Sequence, residues 1–222
     1  MKKIAEILPV RQQDRIISEI LRERLDTILP IAMRESQIDM WLILCQEDDL
    51  DPVFKTMIPM NTWTPILQML IFFDRGADQG IKRINLSMTD TGDFYEKPWS
   101  GRLYGEQWEF LSRIIQERDP QKIGINIGEV NWATGGLTYN LYNQLIRAIP
   151  AKYVERLTSA EAASTKWLMT LSAKELEIYP HIVSIAHQFI KYCYSSNAIT
   201  PGLTTTEDLE WVYWQLCSDH GL

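Results

Sequence analysis

The stretch Asp39-Met-Trp-Leu-Ile-Leu44 decides the fold class of this chain of 222 residues. A short unbroken apolar run that follows a polar residue is typical of a strand buried on both faces. Before it, apolar residues recur at helical spacing over residues 12–29, and Pro30 predicts that this helix ends or kinks there. The chain therefore begins with a helix that is followed by a buried strand.

The same alternation continues downstream. Apolar runs at residues 65–73 and 81–88 flank a turn that contains Gly and Asp, which predicts a hairpin. A polar loop is predicted over residues 89–104. The remaining elements are predicted helices at 106–118 and 137–149 and predicted strands at 122–127 and 151–154. This order predicts an α/β fold with a mixed β-sheet flanked by helices.

The bulk charge excludes two classes of partner. A formal net charge of −7 argues against nonspecific binding of nucleic acid or anionic membranes, because both require a basic surface. No apolar run approaches the roughly 20 residues of a membrane span. Lys2 and Lys3 are followed too soon by Glu6 and Arg11 to form a secretory signal.

The cysteines indicate a reducing compartment. Cys45, Cys193 and Cys217 are odd in number and widely spaced, which is typical of reduced thiols in a cytoplasmic protein. Cys45 follows a strand and could be a nucleophile, but no histidine is near it in sequence, so burial is the better interpretation. Asn85 lies in a glycosylation sequence that has no meaning without a secretory signal.

Two helix starts are predicted after the α/β region. Thr158 with Glu161 forms a capping-box pattern for a helix that reaches about Met169. Ser172 with Glu175 forms a second one, and a long helix over residues 173–197 follows, with Pro180 as a bend or local defect. Apolar residues form a stripe along that helix: Leu176, Tyr179, Ile182, Val183, Ala186, Phe189, Ile190 and Cys193.

The last segment has the features of a domain opening. Pro201-Gly202 is a turn, and Thr204 with Glu207 predicts a capped helix start. The apolar face of this helix consists of Leu209, Val212, Tyr213 and Leu216. Such a face must pack against something. We expect its partner to lie outside this sequence, so that the chain is a region of a longer protein.

These segments resemble the pita-bread metallopeptidases, the Xaa-Pro aminopeptidase, prolidase and creatinase family. The resemblance rests on Ile199-Thr-Pro-Gly-Leu-Thr-Thr205, which is similar to the catalytic-domain entry, and on Ser172 with Glu175-Leu176 in its first helix. A basic residue usual in that pattern is missing, since Thr170-Leu171 stand there. Segments similar to the amino-terminal domain are Arg24–Pro30, Met33-Arg34, Ile38–Ile43, Gly124–Ile127 and Gly136–Thr138.

The resemblance implies a division of the chain and a function. Residues 1–157 would form the amino-terminal domain with a ribonuclease-H-like mixed sheet, 158–171 a linker helix, and 172–222 the opening helices of a truncated catalytic domain. The family's paired Mn, Co or Zn ions are held by two Asp, one His and two Glu, all implied to lie after the position matching Leu222. We therefore expect no catalytic, cofactor-binding or metal-ligating residue here, and no peptidase activity from this chain alone.

The parent enzyme would hydrolyse proline-containing peptides at Xaa-Pro bonds as a homo-oligomer, most simply a dimer. The amino-terminal domain would shape the substrate pocket and make subunit contacts. Two alternatives remain open. One is a standalone, non-catalytic interaction or oligomerisation module, and the other is a fragment of a creatinase-type amidinohydrolase.

Other candidate residues give weaker signals. His181 and His187 are six apart on one predicted helix and face different directions, so they do not form a zinc pair. His187 is interpreted as a core or boundary histidine, and His220 as a helix C-terminal residue. The acidic segment Glu47–Asp51 fits a solvated surface loop or a loop that borders an active site.

Glycine and tryptophan positions complete the prediction. Gly124, Gly128 and Gly135-Gly136 lack the spacing of a dinucleotide-binding loop, so turn and cap roles suffice. Trp41, Trp108 and Trp167 lie in elements and are predicted core residues. Trp63, Trp99 and Trp132 lie in loops, where they either form an interface or line a crevice.

Overall fold

The computed structural model describes residues 7–101 and 105–222, which divide into two compact units. The larger unit comprises Ile16–Ser172, and the smaller unit combines the described residues up to Arg15 with Ala173–Leu222. The predictions for Lys2, Lys3 and Glu6, and for the end of the loop at 89–104, lie outside the described residues. None of the described helices is both long and apolar enough to span a bilayer.

The strands all belong to the larger unit: β1 (Met40–Gln46), β2 (Leu67–Asp74), β3 (Ile81–Asn85), β4 (Ile123–Ile125) and β5 (Leu157–Ser159). The helices of the described chain are α1 (Val10–Glu35), α2 (Pro52–Lys55), α3 (Glu106–Arg118), α4 (Tyr139–Ala148), α5 (Ala151–Val154), α6 (Glu161–Met169), α7 (Ala173–Cys193) and α8 (Thr206–Asp219). Short 3-10 turns occupy Gly92–Phe94 and Trp132–Thr134.

The strands of the described residues form one five-stranded sheet in the order β3-β2-β1-β4-β5. β1 pairs antiparallel with β2, and β2 with β3. β1 pairs parallel with β4, and β4 with β5. The predicted hairpin, the burial of the first strand and the mixed α/β sheet are therefore confirmed.

Helices cover both faces of this sheet. Alternate side chains of β1 enter two separate hydrophobic clusters, as the period of two in a strand requires. One cluster contains Trp41 and Ile43 with residues of α1, α2 and α6. The other contains Met40 and Leu42 with residues of α3 and α4. The apolar run that decided the fold class is thus buried from both sides.

The predicted strand at residues 151–154 is wrong. Pro150 is the N-cap of the short helix α5, and Tyr153 of that helix is buried. The last strand is instead β5, which carries Thr158 and Ser159 and pairs with β4 only. None of the three residues of β5 is fully buried, so this strand needs few apolar residues.

Two predictions about helix ends are also wrong. Of the two effects predicted for Pro30, an end of the helix is wrong, because α1 runs on to Glu35 and Ala32 and Met33 of its last part are buried in the core. Proline inside a helix costs one backbone hydrogen bond, which core packing offsets here. Thr158 does not cap α6, because it lies in β5 and the N-cap position is Ala160.

The smaller unit contains α7 and α8. α7 continues through Pro180 and ends at Cys193 rather than at residue 197. Phe189 packs edge-on against Tyr213 and lies 5.1 Å from the His220 ring, between centroids. Of the predicted α7 stripe only Phe189 and Cys193 are buried, whereas Leu176, Tyr179, Ile182 and Ile190 are exposed.

The helix α8 is capped one residue later than predicted. Its capping box joins Thr205 to Asp208, while Thr204 accepts a hydrogen bond from the Thr200 amide at 2.8 Å. None of its residues is buried in the described chain, and Trp211 and Trp214 are exposed. The predicted apolar face therefore exists in sequence but is covered only in part.

A buried arginine holds the end of α6 in the larger unit. The Arg24 guanidinium donates to the carbonyl oxygens of Trp167 and Thr170 and lies 4.5 Å from the Trp167 ring centroid. Carbonyl groups at a helix C-terminus lack intrahelical partners, and a cation there is favourable. Arg24 therefore connects α1 to the point where α6 ends.

We predict that Arg24→Met lowers the free energy of unfolding by about 2–4 kcal/mol, because buried hydrogen bonds to a charged donor are lost. Urea unfolding monitored by circular dichroism measures this change. The matched control is Arg22→Met on the same helix, whose exposed ion pair with Asp93 should contribute less than about 1 kcal/mol. Equal losses for both variants would contradict the role given to Arg24.

Candidate interaction surface at the sheet edge

Two loops meet at the edge of the sheet that is formed by the carboxyl ends of β1 and β4. β1 and β4 run parallel and end at Gln46 and Ile125, while the antiparallel β2 begins at Leu67. The chain therefore leaves β1, enters β2 and leaves β4 on the same side. We call residues 47–66 and 126–139 the edge loops. Loops at such an edge are the usual place for functional residues in α/β folds.

The acidic segment Glu47–Asp51 divides into buried and exposed members. Asp51 is buried, and its carboxylate accepts hydrogen bonds from the amides of Val53 at 2.7 Å and Phe54 at 3.1 Å. It is the N-cap of α2, a favoured place for aspartate. Asp48 and Asp49 are exposed. The segment is therefore more than the solvated loop that sequence reasoning allowed.

Asn126 connects Asp51 to the rest of the core. Its side-chain amide donates to Asp51 Oδ2 at 2.9 Å. Its carbonyl oxygen accepts from Trp41 Nε1 at 2.7 Å and from Ser164 Oγ at 3.2 Å. These four buried residues, which we call the Asn126 network, join β1, the first edge loop, the second edge loop and α6.

A glycine makes room for this network. A Cβ atom placed on Gly136 would lie 2.1 Å from Asp51 Oδ2, closer than any real side chain approaches. Gly136 therefore allows the backbone of the second edge loop to pass over the carboxylate. The sequence predicted only a turn or cap role for Gly135-Gly136. The structure gives Gly136 a more specific role, because its backbone lies too close to Asp51 for any side chain.

Burial raises the pKa of Asp51, and its hydrogen bonds with Asn126, Phe54 and Val53 oppose that shift. A buried carboxylate is disfavoured in its charged form unless donors surround it. Because the pKa of Asp51 is higher in the folded protein than in the unfolded chain, Asp51 contributes most to stability at pH values below its pKa in the unfolded chain. That contribution is lost as the pH rises through the folded pKa.

Glu161 fixes the tip of the second edge loop. Its carboxylate accepts from the backbone amides of Glu129 at 3.1 Å, Val130 at 3.0 Å and Asn131 at 2.5 Å. These three bonds lower its pKa. Successive amides that converge on one carboxylate form an anion-binding concavity. Glu161 was predicted as a capping-box residue, but it restrains a distant loop instead.

Large apolar side chains point outward from the restrained edge loops. The most exposed are Val130, at 92% of full exposure, and Trp132, at 87%. Tyr139 and Trp63 are exposed at 81% and 73%. Exposed tryptophans are uncommon on monomer surfaces and are enriched at interfaces. Of the predicted loop tryptophans, Trp63 and Trp132 fit an interface, whereas Trp99 is buried in the core.

The other candidate residues lie apart from this surface or are inaccessible. Cys45 is fully buried, and burial raises its pKa to about 12, so its thiol is a poor nucleophile. Asn85 is also fully buried and is closed to glycosylation in the folded protein.

The histidines do not form a site. His181 and His187 are both exposed on α7, so the prediction of a core or boundary position for His187 is wrong. His220 Nδ1 lies 2.7 Å from the Leu216 carbonyl oxygen at the end of α8. Within the described residues, no group of three or more His, Cys, Asp or Glu side chains could hold a metal ion.

Comparisons with known proteins support the fold. No protein-family model matches the sequence, and no curated protein sequence matches it. Among solved structures, the chain is similar to an Xaa-Pro dipeptidase from Bacillus anthracis, with a TM-score of 0.50 and 19% sequence identity. The similarity covers 90% of this chain and 49% of the dipeptidase, so this chain spans about half the length of that protein.

We predict that exchanging the two partners of the central hydrogen bond restores stability. Asp51→Asn places two amide groups face to face, and Asn126→Asp places two carboxylates there. Each single variant should therefore lose about 2–4 kcal/mol of unfolding free energy. The double variant re-forms a donor–acceptor pair with the same net charge, and should lie within about 1 kcal/mol of wild type. Additive losses in urea unfolding would contradict the proposed pairing.

We predict a pH-dependent cost for Glu161→Gln. Because the pKa of Glu161 is lowered in the folded protein, its contribution is present above the unfolded pKa and is lost as the pH falls through the folded pKa. The variant should be less stable than wild type near neutral pH, and the difference should shrink in acid. Glu155→Gln, at an exposed carboxylate in the same unit, is the control. A difference that does not change with pH would refute the assignment.

Proposed function

We propose that this chain is the amino-terminal, non-catalytic region of an Xaa-Pro aminopeptidase-like metallopeptidase. The observation that carries the proposal is the fold likeness to one half of an Xaa-Pro dipeptidase. Residues 1–157 would be its amino-terminal domain, 158–171 a linker helix, and 172–222 the first helices of the catalytic domain. The parent enzyme would hydrolyse Xaa-Pro peptide bonds.

In this proposal the edge loops shape the substrate pocket, and the amino-terminal domain makes the contacts between subunits of a homodimer. The aromatic side chains of the edge loops are exposed while the loop backbones are restrained by Asn126 and Glu161. A surface that is ordered before it binds loses less entropy on association. This combination supports a role in recognition.

The divalent metal pair of the resembling family, Mn, Co or Zn, finds no fitting ligand set among the described residues. A dinuclear site requires several carboxylate and imidazole ligands that converge. We therefore assign no metal-dependent step to this chain and place the metals in another part of the parent enzyme.

The partly covered α8 is relevant to the choice between this proposal and a standalone interaction module. Leu209, Val212 and Leu216 are only half-buried, and Trp211 and Trp214 are exposed. A catalytic domain would cover this face in the parent enzyme. The module is favoured by the contacts between α7 and α8, in which Phe189 packs against Tyr213 and His220 without further chain.

The test is an assay of the purified chain with Xaa-Pro dipeptides and Xaa-Pro-containing peptides in the presence of Mn, Co or Zn. We expect no release of product above the background of metal alone. Gel filtration of the same sample separates the two candidates, because an exposed apolar face promotes aggregation whereas a module gives a discrete species. Metal-dependent cleavage by this chain would refute a non-catalytic role.

A further inference from the structure

The exposed face of the edge loops combines aromatic rings with carboxylates. Trp63, Trp132 and Tyr139 supply the rings. The exposed carboxylates are Glu47, Asp48 and Asp49 in the first loop and Glu129 in the second. Lys55 is the only basic residue in the sequence of either edge loop. The surface therefore presents exposed aromatic rings, and the edge loops carry more acidic than basic residues.

These carboxylates differ from those at the opposite edge of the sheet. There, Asp74 pairs with Arg34 at 2.7 Å, and Asp119 pairs with Arg156 at 2.9 Å. In the part of the chain that the structure describes, the side chains of Asp48 and Asp49 make no ion pair. The opposite edge pairs Asp74 and Asp119 with arginines, whereas no ion pair of the described residues joins Lys55 of the edge loops to Asp48 or Asp49.

Backbone contacts hold the two charges outward. The Asp49 amide donates to the Gln46 carbonyl oxygen at 3.1 Å, closing a tight turn with Asp48 at its tip in the left-handed region. The Glu47 carboxylate accepts from the Ile66 amide at 2.9 Å, which ties this turn to the segment that carries Trp63. The carboxylates and the ring therefore belong to one restrained loop.

From this charge pattern we infer that the edge loops bind a positively charged peptide segment, with an Arg or Lys side chain placed against the exposed tryptophan rings. A guanidinium or ammonium group is attracted to the face of an indole ring and to nearby carboxylates. The same charges repel nucleic acids and anionic membranes. The inference does not require peptidase activity, so the failure of either proposal leaves the other standing.

The test uses a blocked pentapeptide with two arginines separated by glycine, and a matched peptide in which citrulline replaces both arginines. Citrulline keeps the size and planar end group of arginine but carries no charge, and its ureido oxygen accepts a hydrogen bond where arginine donates. Binding is followed through the indole N–H signals of 15N-labelled protein, assigned with single Trp→Phe variants. We expect the Trp63 and Trp132 signals to shift with the arginine peptide, and about tenfold weaker binding of the citrulline peptide.

Substitutions in the edge loops test whether the arginine peptide binds to this surface. Asp48→Asn combined with Asp49→Asn, and Trp132→Ala alone, should each weaken binding by about threefold to tenfold. Trp211→Ala, which removes an exposed tryptophan from α8, should leave the affinity unchanged. Raising the ionic strength from about 0.05 M to about 0.5 M should weaken binding further, because salt screens exposed charges.

Four results would overturn the inference: no shift of the two indole signals at about 10 mM arginine peptide, equal affinity for the citrulline peptide, affinity unaffected by the edge-loop variants, or shifts that follow protein concentration without peptide. The last result would assign the surface to a second copy of this chain.

Discussion

One buried amide, the side chain of Asn126, determines how the sheet edge is built. It donates to Asp51 and accepts from Trp41 and Ser164, so its partners come from three other parts of the larger unit. A buried polar group that loses its partner costs more than a hydrogen bond contributes. The edge loops therefore cannot shift independently of β1 and α6. No buried side-chain N or O atom in the described residues is left without a partner.

The edge loops have a buried side, which contains the Asn126 network, and an exposed side. Inside, Asp51 and Asn126 satisfy each other, and Gly136 leaves them the room. Outside, Trp132 and Trp63 are exposed on loops whose tips and turns are fixed by Glu161 and Glu47. Exposed aromatic groups on a restrained backbone are suited to recognition.

The sequence predicted the elements whose signals are local. β1, the hairpin and α3 follow from apolar runs, a turn and helical periodicity, each contained in a short window. The strand at 151–154 was wrong because four residues with three apolar ones suit a helical turn equally well, and the true edge strand β5 is largely polar. The Asn126 network could not be predicted, because Asn126 and Asp51 are 75 residues apart and a local sequence pattern does not show which distant side chains pair. Glu161 gave a false capping signal for a similar reason, since its real partners lie about 30 residues earlier.

Amide hydrogen exchange of the wild-type protein tests whether the edge loops form a restrained surface. The amides of Val53 and Phe54, and those of Glu129, Val130 and Asn131, are bonded to carboxylates rather than to a helix or sheet ladder. If the account is right, they exchange far more slowly than amides of an unstructured peptide, although the loop tip lies at the surface. Exchange at the unstructured rate at both groups would show that the loops are not held, and would contradict the account.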